Sequence, residues 1–321
     1  MSGRSARIWL AGATGYIGRA LGRELVARGH EVTAIVRNPA SSVPTGCRVL
    51  VAEVSDEASL AHALRGSEVD AVFSCLASRT GVATDAWRID HEANARLLRL
   101  SEQAGASHFV LLSAICVQRP KLAFQRAKLA FEAELAASDL AWTVVRPTAF
   151  FKSLAGQVER IRGGRPFLMF GDGTLTACKP IGEADLAVYL ADCIERGSRA
   201  RRILPIGGPG PAITPLEQAE LLFRLAGRPL KTRSVPVRLF DAIGAMLRPF
   251  ERVSKGAAAK AELARIGRYY ATESMLLWDE LQQTYSADAT PETGSETLES
   301  FYERVLREGL SGQELGAAKV F

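Results

Sequence analysis

Ile8-Trp9-Leu10-Ala11-Gly12-Ala13-Thr14-Gly15-Tyr16-Ile17-Gly18 is an apolar run that breaks into three glycines and resumes as a helical pattern. The order is strand, tight turn, helix start. In the GxxGxxG spacing each glycine has its own role. Gly12 ends the strand, Gly15 lets the backbone approach a pyrophosphate, and Gly18 lets helix and strand pack closely. Free N–H groups at the helix terminus, carrying partial positive charge, suit the phosphates. A glycine triplet alone is weak evidence, because glycine-rich turns are common. Here an apolar strand precedes it, and Ile17, Leu21 and Leu25 follow at helical spacing, which favours dinucleotide binding over a plain turn. Ala13, Thr14, Tyr16 and Ile17 complete the expected contact.

The pattern continues outward as alternating strands and helices. A first helix stops at Gly29, and strand 2 over 30–37 ends on Arg37. An acidic side chain there would accept the ribose 2′-hydroxyl of NAD; Arg37, with no carboxylate beside it in sequence, favours the 2′-phosphate of NADPH. Strand 3 over 47–54 ends on Val54, Ser55 or Asp56 caps the next helix, and strand 4 over 70–77 carries Leu76 and Ala77 at its carboxyl end, where strand ends border a cofactor. The polar loop 78–85 reads as a rim, followed by a helix over 87–104 and strand 5 over 109–114. A helix over 123–136 and strand 6 over 141–146 follow, and Pro147 ends that strand. This alternation implies βαβ units and a Rossmann-type doubly wound parallel sheet of the α/β class. The nucleotide-binding domain is expected over 1–155 and a smaller C-terminal substrate lobe over 156–321, with strands that return to the main sheet.

Composition narrows the function. The 321 residues are 47% hydrophobic and 23% charged, as in an ordinary globular protein. The net charge of +5 suits anionic ligands, but Lys and Arg are scattered along the chain, which speaks against nucleic acid as a partner. Cys47, Cys75, Cys116, Cys178 and Cys193 are odd in number and widely spaced. They indicate neither a disulfide framework nor a metal site, and read as buried thiols in a reducing cytoplasm. His30, His62, His91 and His108 include no pair with metal-ligand spacing; His91 is a weak candidate for substrate contact. The first strand begins at once, leaving no room for a targeting segment, and no apolar run approaches the ~18 residues of a membrane span.

Beyond 150 the pattern loosens. Gly163-Gly164-Arg165-Pro166 and Phe170-Gly171-Asp172-Gly173 read as turns around a short strand, and Thr214-Pro215-Leu216-Glu217 as a capping-box helix start. A second box-like start, Thr293-Gly294-Ser295-Glu296, is expected to open a helix to about 308, followed by a loose tail. Val237, Phe240, Ile243, Leu247 and Phe250 share one helical face amid Arg238, Arg248, Arg252 and Lys255. A helix packed on the lobe core is favoured there over a membrane-surface helix.

The glycine turn, Arg37 and Lys128 on the helix after strand 5 are similar to the atypical short-chain dehydrogenase/reductases related to isoflavone reductases. Within that family, Phe109-Val110-Leu111-Leu112-Ser113-Ala114-Ile115-Cys116-Val117, Ala127-Lys128-Leu129-Ala130-Phe131-Glu132, Arg146-Pro147-Thr148-Ala149-Phe150-Phe151-Lys152, Phe170-Gly171-Asp172-Gly173 and Ala177-Cys178-Lys179-Pro180-Ile181 resemble a branch that reduces a vinyl substituent. The resemblance runs from about residue 8 to 308. It implies NADPH as cofactor, a small-molecule tetrapyrrole as substrate and Lys128 as the catalytic side chain, bonded to the nicotinamide ribose and a candidate proton relay. By the same resemblance Ser113, Pro147, Thr148 and Phe150 are cofactor contacts and Phe124, Phe151, Lys152 and Phe170 substrate contacts. Composition alone reads Lys128 as an exposed helix lysine that tolerates alanine, and Ser113 as a structural strand-end serine. No metal is implied, and the oligomeric state stays open.

One departure is informative. Ordinary short-chain reductases place a tyrosine four residues before the lysine, where this chain has Phe124. A tyrosine hydroxyl polarises a carbonyl oxygen during hydride transfer, and a vinyl group has no such oxygen. Two other readings remain open: a non-catalytic NADP-sensing regulator, and a reductase for another aromatic or quinone-like substrate.

Overall fold

The computed structural model describes residues 5–251 and 253–309. The chain divides into two compact units, Met1–Arg146 with Leu186–Leu204, and Pro147–Asp185 with Pro205–Phe321. The first unit therefore stops at Arg146 rather than 155 and takes back a later segment. Pro147 ends β6 because proline has no N–H to continue a ladder.

The first unit runs β1 (Arg7–Ala11), α1 (Tyr16–Ala27), β2 (Glu31–Val36), β3 (Arg48–Val51), α2 (Glu57–Leu64), β4 (Ala71–Ser74) and α3 (Ala83–Ala86). A π-helix (Trp87–Ala93), α4 (Asn94–Gln103), β5 (His108–Leu112), α5 (Ala123–Ala136) and β6 (Ala141–Pro147) follow. With β8 (Arg202–Ile206), these strands form a seven-stranded sheet in the order β3-β2-β1-β4-β5-β6-β8. The pairings among β1 to β6 are all parallel. Ile8, Trp9, Leu10 and Ala11 are buried, as expected of a central parallel strand covered on both faces. Strand order reverses between β1 and β4, and Gly12 stands at that reversal, where open α/β sheets form their ligand crevice. Phe109 of β5 meets Phe131 of α5 edge-on at 5.8 Å, which ties α5 to the sheet.

Several boundaries differ from the sequence expectation. Strands 2 to 5 are shorter, β6 runs one residue further to Pro147, and the helix expected over 87–104 begins at Ala83 and passes through the π-helix. Asp56, not Ser55, caps α2, its carboxylate accepting from the N–H groups of Ala58 and Ser59.

The second unit contains α6 (Phe151–Leu154), α7 (Val158–Arg162), β7 (Phe167–Phe170), the first turn of α8 (Glu183–Glu195), α9 (Pro215–Leu225) and β9 (Thr232–Val235). It continues with α10 (Arg238–Leu247), α11 (Lys255–Thr272), β10 (Leu277–Asp279), β11 (Thr284–Ser286) and α12 (Leu298–Glu308). Phe151, Ile161, Phe167, Leu222, Phe301 and Tyr302 are among its core residues. The Thr214 capping box forms as expected. The second box does not: Ser295 and Glu296 donate their N–H groups to Asp185, and Thr297 caps α12 instead. A carboxylate distant in sequence has taken the donors that a local box would have used.

The apolar face expected near 237–255 packs only in part, with Val237, Phe240, Ile243 and Leu247 half-buried. No residue of α10 is buried, and Leu239, Met246, Phe250 and Val253 are exposed. Arg252 and the tail from 310 lie outside the described residues. Among the described residues no helix is long and apolar enough to cross a membrane.

Candidate active site

The glycine turn has the shape its spacing demands. Gly12 adopts φ +80°, and a Cβ there would lie 2.6 Å from the Cys75 carbonyl oxygen; one on Gly18 would lie 2.1 Å from the Gly12 carbonyl oxygen. Only hydrogen fits at either position. Gly15 donates its N–H to Gly12 at 3.0 Å and enters α1 in extended conformation, with no side chain to cap the helix. The exposed Gly15 and half-exposed Thr14 thus leave the first turn of α1 open to an anion, while Ala13 and Ile17 are buried beneath. This cradle fits a dinucleotide pyrophosphate.

Arg37 stands exposed one residue past β2. Burial pushes the Glu53 carboxyl up, but the N–H and hydroxyl of Ser55 and the charges of Arg37 and Arg88 outweigh it and hold the group below the usual carboxylate range. Arg88, which donates to the Ser55 hydroxyl at 3.2 Å, adds a second cation near Glu53 that the sequence reading missed. The Val54 side chain is in the sheet core, leaving its backbone as the part able to meet a cofactor. Leu76 packs against the same core, and Ala77 is exposed. Burial pushes the Cys75 thiol up to about 12, against the lowering charge of Lys128.

Lys128 is not an exposed helix lysine. It is 7% exposed, and its Nζ lies 3.0 Å from Oδ1 of Asp90, which is 1% exposed. Among the described residues no well-aligned hydrogen bond reaches Oδ1, so the ammonium is what balances that oxygen. Oδ2 of Asp90 accepts from the Ser78 N–H at 3.3 Å. Asp90 sits in the π-helix, whose wide turn loosens backbone carbonyls; the Asn94 amide donates to the carbonyls of Ile89 and Asp90, and Ser74 donates to the Asn94 oxygen. The sequence reading passed over Asp90 for its neighbour. His91 instead lies 3.3 Å from Glu134 and meets Trp87 edge-on. A signal was present: Asp90, Asn94, Leu97 and Leu98 fall on one helical stripe, a polar pair on an otherwise apolar face.

Gln125 fixes the start of α5, accepting from the N–H groups of Lys121 and Leu122 and donating to the Cys116 carbonyl. That registers Phe124, half-buried, and Lys128 one turn later. Ser113, at the carboxyl end of β5, donates its hydroxyl to buried Glu132, which also pairs with Arg146. In the second unit, the Thr148 N–H donates to Ile206 at 3.0 Å and its hydroxyl to the Lys179 carbonyl. Phe150 bridges to Ile181, Lys152 is half-buried, and the Phe170 ring meets Phe240 at 4.9 Å. The substrate expectation for Phe151 is corrected: its ring is fully buried against Phe301 in the core. Among the described residues no cluster of His, Cys, Asp and Glu is arranged to hold a metal ion, and all five cysteines are free.

Residues 12–196 match the protein family described as NAD(P)H-binding. The chain is 49% identical, over 98% of its length and 82% of the relative's, to the chloroplastic divinyl chlorophyllide a 8-vinyl-reductase of Oryza sativa subsp. indica. The chain belongs to the 8-vinyl-reductase family. Identity to the Arabidopsis thaliana 8-vinyl-reductase is 45% over 98% of this chain and 80% of that protein. Among solved structures, the NADPH complex of the NADPH-dependent quinone oxidoreductase QOR2 of Escherichia coli superposes with a TM-score of 0.66 at 20% identity, covering 93% of this chain and 99% of that one. At that identity the likeness shows the fold alone. The family assignment places the glycine turn, α5 and its lysine within a nicotinamide-nucleotide-binding chain.

Proposed function

We infer that this chain is an NADPH-dependent oxidoreductase that reduces the C8 vinyl group of divinyl chlorophyllide a, or a close precursor, to an ethyl group. Two side chains, on the background of the family, carry the reading toward C=C chemistry. Phe124 stands where a carbonyl reductase needs tyrosine, and the Ser113 hydroxyl is given to Glu132. Both hydroxyls that would stabilise a carbonyl oxyanion are absent or engaged.

The glycine turn would hold NADPH, whose chemistry there would be to give a hydride to the outer vinyl carbon. The charge then left on the carbon beside the ring would spread over the conjugated macrocycle, so the substrate is its own electron sink, and a proton from water or from the Lys128 ammonium would go to that carbon to complete the ethyl group. Lys128 is assigned to the nicotinamide ribose, Arg37 to the 2′-phosphate, and Tyr16, Val54, Leu76, Ala77, Pro147, Thr148 and Phe150 to the rest of the cofactor. Phe124, Lys152 and Phe170 are assigned to the tetrapyrrole, with the second unit as the substrate lobe. The exposed apolar residues of α10 and after it, with Arg238 and Arg248 nearby, support peripheral membrane contact, and the five free cysteines support a reducing, cytoplasmic setting. Flotation with anionic vesicles tests that contact, and protein remaining in the dense fraction removes it.

The deciding assay incubates the protein with NADPH and a divinyl tetrapyrrole and follows the product mass for a gain of two hydrogens. A regulator would bind NADPH without consuming it. Phe124→Tyr should give no increase in vinyl reduction, because the transition state offers no oxyanion to the new hydroxyl. A large gain would show that a protein acid limits the step. Arg37→Ala should raise the NADPH dissociation constant by about tenfold or more, the loss of a charge-assisted phosphate contact, and leave NADH nearly unchanged. Equal effects on both cofactors would remove the 2′-phosphate assignment.

A further inference from the structure

We propose that Asp90 is the positioning residue for Lys128, fixing the ammonium where the cofactor ribose is held. This rests on the assignment of Lys128 to the ribose. The observation behind it is a carboxylate anchored from several directions. The Ser78 N–H holds Oδ2, the Asn94 amide holds the Asp90 carbonyl, and Ser74, at the end of β4, holds Asn94. Oδ1 is left to the ammonium at 3.0 Å.

The surrounding charges are otherwise engaged. Glu132, one turn along α5, pairs with Arg146; Glu134 pairs with His91; Arg88 pairs with Asp85; and Arg96 pairs with Glu92. A lysine side chain has a flexible four-carbon stem and strays unless something fixes its end. Asp90 does this from a neighbouring helix. An ammonium carries three N–H groups, so one directed at Oδ1 leaves others for ribose hydroxyls.

A double-mutant cycle tests this, with NADPH affinity read by nicotinamide fluorescence without tetrapyrrole and vinyl reduction read separately. Asp90→Asn should raise the NADPH dissociation constant and KM by about tenfold, with kcat within about twofold, the pattern of lost uniform binding. A merely structural role would lower the active fraction, and so kcat, without moving KM. In a Lys128→Ala background, Asp90→Asn should cost no further affinity, because the group it acts through has gone. If Asp90→Asn alone does not fold, comparing Asp90→Asn/Lys128→Ala with Lys128→Ala decides, and a further tenfold loss in the double variant overturns the proposal. Unchanged affinity in Asp90→Asn overturns it too. Unchanged affinity in Lys128→Ala overturns the ribose assignment and this inference together, and neither variant's affinity measurement requires vinyl reduction to occur.

Discussion

Lys128→Ala is expected to destabilise the fold by about 3–5 kcal/mol, the cost of leaving a buried charge without its partner. Asp90 is 1% exposed and its Oδ1 is balanced by Lys128 alone among the hydrogen bonds and ion pairs described for that atom. Adding Asp90→Asn should restore much of the loss, since a neutral amide no longer needs a cation. Urea melts of the two variants and the wild type measure this. A single variant as stable as the wild type would mean that water reaches Asp90, and that the alanine tolerance expected of an exposed helix lysine holds after all. The kcat/KM for NADPH should fall in both variants, because restoring stability does not restore the ribose contact.

Gly18→Ala should cost NADPH affinity on the order of a hundredfold, equivalent to about 2.7 kcal/mol. Its Cβ would lie 2.1 Å from the backbone oxygen of Gly12, and neither partner is a flexible side-chain end. The strand-to-helix turn must open, which moves the N–H groups of α1 away from the phosphates. Overpacking of this kind should also lower stability by about 1–3 kcal/mol. Gly244→Ala is the matched control: nothing lies within 4 Å of a Cβ at that helical position, and NADPH binding should not change. Near-normal cofactor titration of Gly18→Ala would show that the turn is not where the pyrophosphate rests.

The features legible in the residue order are those whose information is local. Three glycines between an apolar strand and a helical stripe specify a phosphate turn, because backbone clearance and period are properties of a short stretch. The alternation of strands and helices specifies the parallel sheet, because a βαβ unit has little other way to bury its faces. Arg37 at a strand end and Phe124 four residues before Lys128 are legible for the same reason, each being a spacing along one element.

What crosses between elements was settled by the packed chain. That Lys128 is buried against Asp90, that Ser113 is spent on Glu132 and that Phe151 belongs to the core all depend on which helix faces which. The same is true of the failed capping box at 293–296, where Asp185, more than a hundred residues earlier in the chain, takes the backbone donors. A charged side chain's worth is set by how much water and which counter-charge the fold leaves around it. Neither quantity is written in the spacing of residues along the chain, which is why a lysine that composition reads as surface decoration became the partner of a buried carboxylate.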